Sequence, residues 1–361
     1  MTDETRPIRV AIVDDSALMR RLISAALIHA SDIEVVGVAS DAFEARELIR
    51  AADPDVVTLD VAMPGMSGID FLRKIMELRP TPVIMVSSLT AEGAEASVSC
   101  LQIGAIDVIQ KPQGADGLRR FGESLQSKIR LAAAAKASLT RTPATVSTPR
   151  IPAPRALKGV SSRTLIAVGA STGGLSTLST LLAALPSDLP PIVIAQHMPK
   201  GYPERFAARL RASLGRDVRE ARAGEMLTPG MIRIAPGDQH LRVVRAGSGL
   251  QSELNAGSTV GGPRPSVDVL FESVAQNVRG RALGLILTGM GRDGAVGLAA
   301  MRRAGAVCIG QGPESSVVWG MPKAAREMGA LDEEAELQDL PEVICRHLTA
   351  TLAPALSRER H

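Results

Sequence analysis

A chain of 361 residues is longer than one ordinary hydrophobic core accommodates, so length alone favours two or three domains. Hydrophobic residues make up 45% and aromatics only 2%, which calls for cores of Val, Ile, Leu, Ala and Met, and a formal net charge of +3 is too small to single out nucleic acid as a partner. Cys100, Cys308 and Cys345 give neither a disulfide framework nor metal-ligand spacing, MTDETRP carries no export signal, and no apolar run reaches membrane-spanning length; a reducing cytoplasm is expected and membrane insertion is not.

In chain order, IRVAIVDD (residues 8–15) reads as an apolar strand ending in two carboxylates, with Ser16 as N-cap of the helical run that follows. IEVVGVAS (33–40), helix DAFEARELIRAA and a third strand, DVVTLD, ending at Asp60, complete three βα units in a row. Such units form right-handed crossovers and a parallel sheet, whose ligands bind beyond the carboxyl ends of the strands. Asp14, Asp15 and Asp60 all fall there. Three crowded carboxylates repel one another unless a hard cation neutralises them, and oxygen-only ligation points to Mg²⁺.

The fourth strand, TPVIMVSS, ends in Ser87 and Ser88, and the fifth, AIDVIQKP, ends at Lys111. A carboxylate beside a cation, a hydroxyl and an ammonium is suited to accepting a phosphoryl group, because the cations offset the charge gained. IVDDSALMR, LDVAMPGMSG, VSS and QKP, in this order, resemble a two-component receiver domain over residues 8 to about 125. The resemblance implies that Asp60 is the phosphoacceptor, that Asp14 and Asp15 join it in holding Mg²⁺, that Ser87 is the switch hydroxyl and that Lys111 contacts the phosphoryl group. Val108 stands where many receivers carry a switch aromatic, which argues against an aromatic rotamer relay.

A helical pattern then runs into SLTRTPATVSTPRIPAPRALKGVSSR, which has no hydrophobic periodicity and reads as a linker. From Ser124 through Ser187 there is no acidic residue, so Lys128, Arg130, Lys136, Arg141, Arg150, Arg155 and Lys158 form a one-sided basic segment. Without interleaved aromatics to stack bases it reads as a solvated tether, and no nucleic acid partner is expected.

TLIAVGASTGG (164–174) reads strand, tight turn, helix. Gly169, Ser171 and Gly173 satisfy G-x-S-x-G, either a nucleophile elbow or a glycine-rich turn with an exposed serine. The next strand, PIVIAQHMP, ends at His197, and ALGLILT leads into TGMGRDGA with Asp293. Serine, histidine and aspartate at three strand ends are the parts of a hydrolytic triad, in the order Ser, His, Asp, which disfavours the α/β-hydrolase order Ser, Asp, His. In the same place Gly289, Gly291 and Gly294 spell G-x-G-x-x-G, with Glu314 about twenty residues on, the fingerprint of a dinucleotide-dependent oxidoreductase. That reading leaves Ser171 and His197 unexplained, and a non-catalytic docking module is the other alternative. MIRIAP and QHLRVVRA are expected to form an antiparallel addition, and GPRPSVDVLFESVAQ a helix read first as packing, with shaping of the substrate cleft as its alternative role.

GASTGG, QHMP, TGMGRDGA and WGMPKAA behind a receiver are similar to the chemotaxis response regulator protein-glutamate methylesterases. That resemblance implies Ser171 as nucleophile, His197 as base, Asp293 as its partner, Thr172 as support for the histidine and the Met290 N–H as an oxyanion donor, with no cofactor for ester hydrolysis. It implies glutamate methyl esters on chemoreceptor helices as substrate, with glutamine deamidation in some members, and a chemotaxis histidine kinase as phosphodonor. The domain order suggests a receiver that covers the cleft until Asp60 is phosphorylated. The expected fold is α/β with two doubly wound parallel-sheet domains: a flavodoxin-like receiver at 1–125, a helix extension and flexible basic linker at 126–161, and a Rossmann-like serine esterase domain at 162–355.

Overall fold

Short aliphatic runs alternating with helices build parallel sheets in both halves of the chain. The computed structural model describes residues 6–88, 90–112, 114–140, 164–257, 262–278 and 281–356. The chain divides into two units, Met1–Pro143 and Ala144–His361.

In the first unit β1 (Ile8–Val13), α1 (Ala17–Leu27), β2 (Ile33–Ala39), α2 (Ala42–Ala52), β3 (Val56–Asp60), α3 (Gly68–Leu78), β4 (Val83–Ser87), α4 (Ala91–Ile103), β5 (Asp107–Gln110) and α5 (Gly114–Thr140) alternate. The five strands are ordered β2-β1-β3-β4-β5, all parallel. β3 and β4 are buried along their whole length, as expected for strands covered on both faces. Ser16 caps α1, its hydroxyl accepting the Met19 N–H. The order reverses between β1 and β3, which opens a crevice at their carboxyl ends.

Helix α5 runs on to Thr140. Along it Lys128 pairs with Asp107 (2.5 Å), Arg130 holds Asp32 through two hydrogen bonds (2.7 and 2.9 Å) and Lys136 pairs with Asp55 (2.8 Å). Three cations of the basic segment are therefore partnered within the first unit. The connector at 141–161 lies outside the described residues.

The second unit begins with β6 (Leu165–Ala170), α6 (Gly174–Ala184), β7 (Ile192–Gln196), α7 (Tyr202–Leu214), β8 (Val218–Glu220), β9 (Met226–Leu227), β10 (Ile232–Ile234), β11 (His240–Ala246) and β12 (Gly249–Asn255). It continues with α8 (Val267–Val278), β13 (Ala282–Ile286), α9 (Ala295–Arg303), β14 (Val307–Gln311), α10 (Met321–Glu327), β15 (Glu333–Ala335) and α11 (Leu340–Leu356). Seven parallel strands are ordered β15-β14-β13-β6-β7-β10-β8, and β11-β12-β9 form a separate antiparallel sheet. The α/β class and the antiparallel addition are as expected. Leu270, Phe271 and Val274 of α8 share one core with Leu165 and Ala167 of β6 and with Leu241 and Val243 of β11. No helix among the described residues is long and apolar enough to cross a membrane.

MIRIAP departs from expectation. It supplies β10, which pairs in parallel with β7 and β8 instead of joining the antiparallel sheet. Its apolar–charged–apolar alternation reads as a half-exposed strand, yet Arg233 is only 1% exposed. Glu225 takes two guanidinium hydrogen bonds (2.7 and 2.8 Å) and Asp217 a third (2.9 Å), so the charge is neutralised inside the fold.

Candidate active site

β6 is flanked by β7 on one side and β13 on the other, so the loops after these three strands converge at one sheet edge. Ser171 is the first residue beyond β6 and His197 the first beyond β7, while Asp293 follows β13 through the loop before α9. The chain order reverses between β6 and β13, so this is the crevice where a doubly wound sheet places its ligands.

Ser171, His197 and Asp293 meet there. His197 Nε2 lies 2.7 Å from Asp293 Oδ2, and His197 Nδ1 lies 3.1 Å from Ser171 Oγ. A carboxylate only accepts, so Nε2 carries the proton and Nδ1 offers its lone pair to the serine hydroxyl. The ring thus uses its two nitrogens in the opposite sense from the chymotrypsin arrangement, with the same roles available. Burial pushes the Asp293 carboxyl up, but the His197 hydrogen bond and the Val267 and Asp268 N–H groups outweigh it and hold the carboxyl below its ordinary value. An ionised aspartate, an imidazole whose Nδ1 faces the hydroxyl and the serine itself form a group that can take the proton from Ser171 and form an acyl-enzyme.

The Ser171 turn is locked from several sides. Gly173 takes a positive φ of 77° at the mouth of α6, and a Cβ there would meet Val317 at 2.5 Å. The Ser171 N–H donates to the Thr288 carbonyl (3.0 Å), and Gln196 Nε2 donates to the Ser171 carbonyl (2.8 Å). Thr288 Oγ1 donates to the Thr172 carbonyl (3.0 Å), while the Thr288 N–H is held by Gln311 Oε1 (2.8 Å). Gly289 passes so close that a Cβ on it would lie 2.8 Å from the Ser171 Cβ. The exposed Met290 follows directly in the chain.

Two glycines of the rival G-x-G-x-x-G pattern are accounted for by packing, and the third, Gly291, by its positive φ of 85°. Ser171 and Met321 press on Gly289, and Val267 presses on Gly294. Glu314, the residue matched to a ribose-binding acid, instead has its N–H directed to Glu336 Oε1 (3.4 Å). Sequence reasoning missed Ser266, Val267 and Asp268, which surround the Asp293 carboxylate, and assigned their helix to packing. A serine just before an apolar-periodic run is an N-cap signal. It finds Ser266 but says nothing of Asp293, 27 residues away.

In the first unit Asp14, Asp15 and Asp60 each offer a carboxylate oxygen, all within 4.8 Å of one another. Lys111 Nζ stands 3.1 Å from Asp14 Oδ2 and 3.0 Å from Asp60 Oδ2. Asp14 Oδ2 is buried and, despite that ion pair, has no aligned hydrogen bond. An oxygen-only trio of carboxylates this close together, with one ammonium beside them, fits a hard divalent cation. Burial raises the Asp60 carboxyl, the Asp14 carboxylate adds to the effect, and Lys111 offsets it only in part. Ser87 ends β4, its hydroxyl engaged with the Gly93 carbonyl (3.1 Å), and its own carbonyl accepts the Lys111 N–H (2.8 Å). Val108 lies on β5 opposite Met85.

Residues 166–344 match the family described as CheB methylesterase, and residues 10–121 match the response regulator receiver domain. A Caulobacter vibrioides protein named protein-glutamate methylesterase/protein-glutamine glutaminase 1 is 50% identical over 338 residues, 93% of this chain and 97% of its own. One of that name from Methylobacillus flagellatus is 44% identical over 356 residues, 97% of this chain and 99% of its own. The crystal structure of the Thermotoga maritima CheB methylesterase catalytic domain is 34% identical, covering 51% of this chain and 97% of that chain with a TM-score of 0.49.

Proposed function

The chain belongs to the CheB methylesterase family, with a receiver domain ahead of the esterase, and on that premise we propose that Ser171 attacks glutamate methyl esters on chemoreceptor helices with His197 as its base. The observation that carries this reading is the hydrogen-bonded line from Ser171 Oγ through His197 to Asp293. His197 Nδ1 takes the serine proton as Oγ bonds to the ester carbonyl carbon. The same proton then leaves with the methoxy group as methanol. Water, deprotonated by His197, attacks the acyl-enzyme, and the free glutamate and Ser171 are restored. The oxyanion is assigned to the Met290 N–H, and Thr172 to the support of the histidine; an oxyanion donor is worth on the order of 3 kcal/mol. The same acyl-enzyme forms from a glutamine side chain with ammonia as leaving group, in keeping with the glutaminase in the relatives' names.

Asp60 is proposed as the phosphoacceptor, with a chemotaxis histidine kinase as phosphodonor and phosphorylation as the control on esterase rate. Asp14, Asp15 and Asp60 would hold Mg²⁺, which supplies positive charge against the phosphoryl oxygens. Lys111 offers a second positive charge beside Asp60, and Ser87 a hydroxyl at the end of the neighbouring strand. A cytoplasmic location is proposed, where the kinase and the receptors' methylated helices would be met.

The decisive test is methanol release from methyl-esterified chemoreceptor. Wild type is expected to release it, and Ser171→Ala to fall by at least about 1,000-fold. Equal rates for the two proteins would sink the assignment of Ser171.

A further inference from the structure

The Asp293 carboxylate has more donors around it than its histidine requires. Oδ2 accepts the His197 Nε2–H and the Val267 N–H, both at 2.7 Å, and Oδ1 accepts the Ser266 hydroxyl at 2.8 Å and the Asp268 N–H at 3.0 Å. Three of these four donors come from residues 266–268, the entrance to α8. Two are backbone groups that any sequence provides; only the Ser266 hydroxyl depends on a choice of side chain. Ser266 is itself held from behind, its N–H donating to Nδ1 of the buried His240 on β11 (3.1 Å). The antiparallel sheet, α8 and the triad are thereby joined by consecutive hydrogen bonds.

We infer that Ser266, anchored by His240, is a positioning residue of the esterase: its hydroxyl holds Asp293 turned toward His197, so that His197 presents its free nitrogen to Ser171. This rests on the triad reading given above. With all its oxygens occupied by donors, Asp293 has no need of the imidazole proton and serves as a fixed anion. A bland alternative exists, because Ser266 Oγ also accepts the Val269 N–H at 3.4 Å as a helix cap.

Three substitutions in the full-length protein separate the two roles. Ser266→Ala removes both donor and cap, Ser266→Asp keeps a cap acceptor but sets a second anion against Asp293, and Ser266→Thr keeps both. The expected result is a kcat lowered about 10- to 100-fold in Ala and at least as far in Asp, with KM within about twofold and most of the rate retained in Thr. Besides His197, the titratable groups facing Asp293 are His240 of β11 and Asp268 of α8, while Arg264 bears on His240. Losing the donor leaves more negative charge facing His197, so the acid limb of the kcat/KM profile moves to higher pH in Ala and Asp, and stays in place in Thr.

A wild-type rate and profile in Ser266→Asp would reduce the hydroxyl to a helix cap and overturn the inference, as would a Thr variant no better than Ala. Thermal melting of each variant identifies any loss due to unfolding, and if Ala does not fold, Asp and Thr decide. Asp293→Asn is assayed alongside. Full activity there would defeat the triad reading itself, whereas an inactive Asp293→Asn beside normal Ser266 variants would defeat this inference alone.

Discussion

Gly289 shows how narrowly single residues bound this site. With a Cβ there pressed onto the Met321 sulfur and 2.8 Å from the Ser171 Cβ, Gly289→Ala must displace its own peptide or the serine turn even where the Met321 side chain gives way. A misplacement on this scale costs about 100-fold, so kcat should fall by that order with little change in KM, as steady-state methanol release will check. His240 contributes one pH-dependent part of the stability. Burial, reinforced by Arg264, lowers its pKa from the ordinary 6.5. At this group the unfolded chain binds more protons than the folded one just below pH 6.5, so the His240 contribution is lost as pH falls through that window. Asp268, whose carboxyl burial pushes up to about 6, acts in the opposite sense. Trp319 is the chain's one tryptophan, so denaturation followed by its fluorescence reads this unit directly. His240→Asn, which keeps an acceptor for the Ser266 N–H, should flatten the acid loss.

Among the elements, β10 is the one whose sequence misleads. Its central arginine looks like a solvent-facing residue, and only the positions of Asp217 and Glu225 turn it into an interior one. Arg233→Met leaves those two carboxylates facing each other. Destabilisation of about 3 kcal/mol is expected, at the low end for a broken buried pair because Asp217 and Glu225 keep part of their surface in water. Adding Asp217→Asn and Glu225→Gln should recover most of it, and denaturant unfolding of the single and triple variants checks both. Helix α8 is the opposite case. Its amphipathic pattern was legible, but its chief contribution to the site comes from the N–H groups and the hydroxyl at its entrance, which a pattern of apolar residues does not encode.

For the whole molecule, phosphorylation of Asp60 is the proposed link between receiver and esterase. A small-molecule phosphodonor such as acetyl phosphate, supplied with Mg²⁺, should raise the rate of methanol release by wild type. Asp60→Asn should show no rise while keeping the unstimulated rate. Chelation of divalent cations should block phosphoryl transfer to Asp60, read by phosphoprotein gel, without lowering the unstimulated rate, since the proposed ester hydrolysis uses only side chains and backbone groups of the second unit. An esterase rate that climbs with phosphodonor in Asp60→Asn would place the phosphoacceptor elsewhere.

Much of this was readable from residues alone. Runs such as VVTLD and LIAVGA, with glycines and carboxylates at their ends, determine strands that finish at one sheet edge, because backbone propensity and burial act over a few residues. The motif order from Asp14 to Lys111 and from Ser171 to Asp293 identifies the two kinds of domain. What only tertiary structure decided is which distant groups meet: which histidine nitrogen faces Ser171, the Lys111 ammonium beside both Asp14 and Asp60, the Arg233 carboxylates and the Ser266 hydroxyl on Asp293. Such pairings depend on strand order, loop path and the desolvation that makes each partner necessary, and none of these has a local signature in the chain.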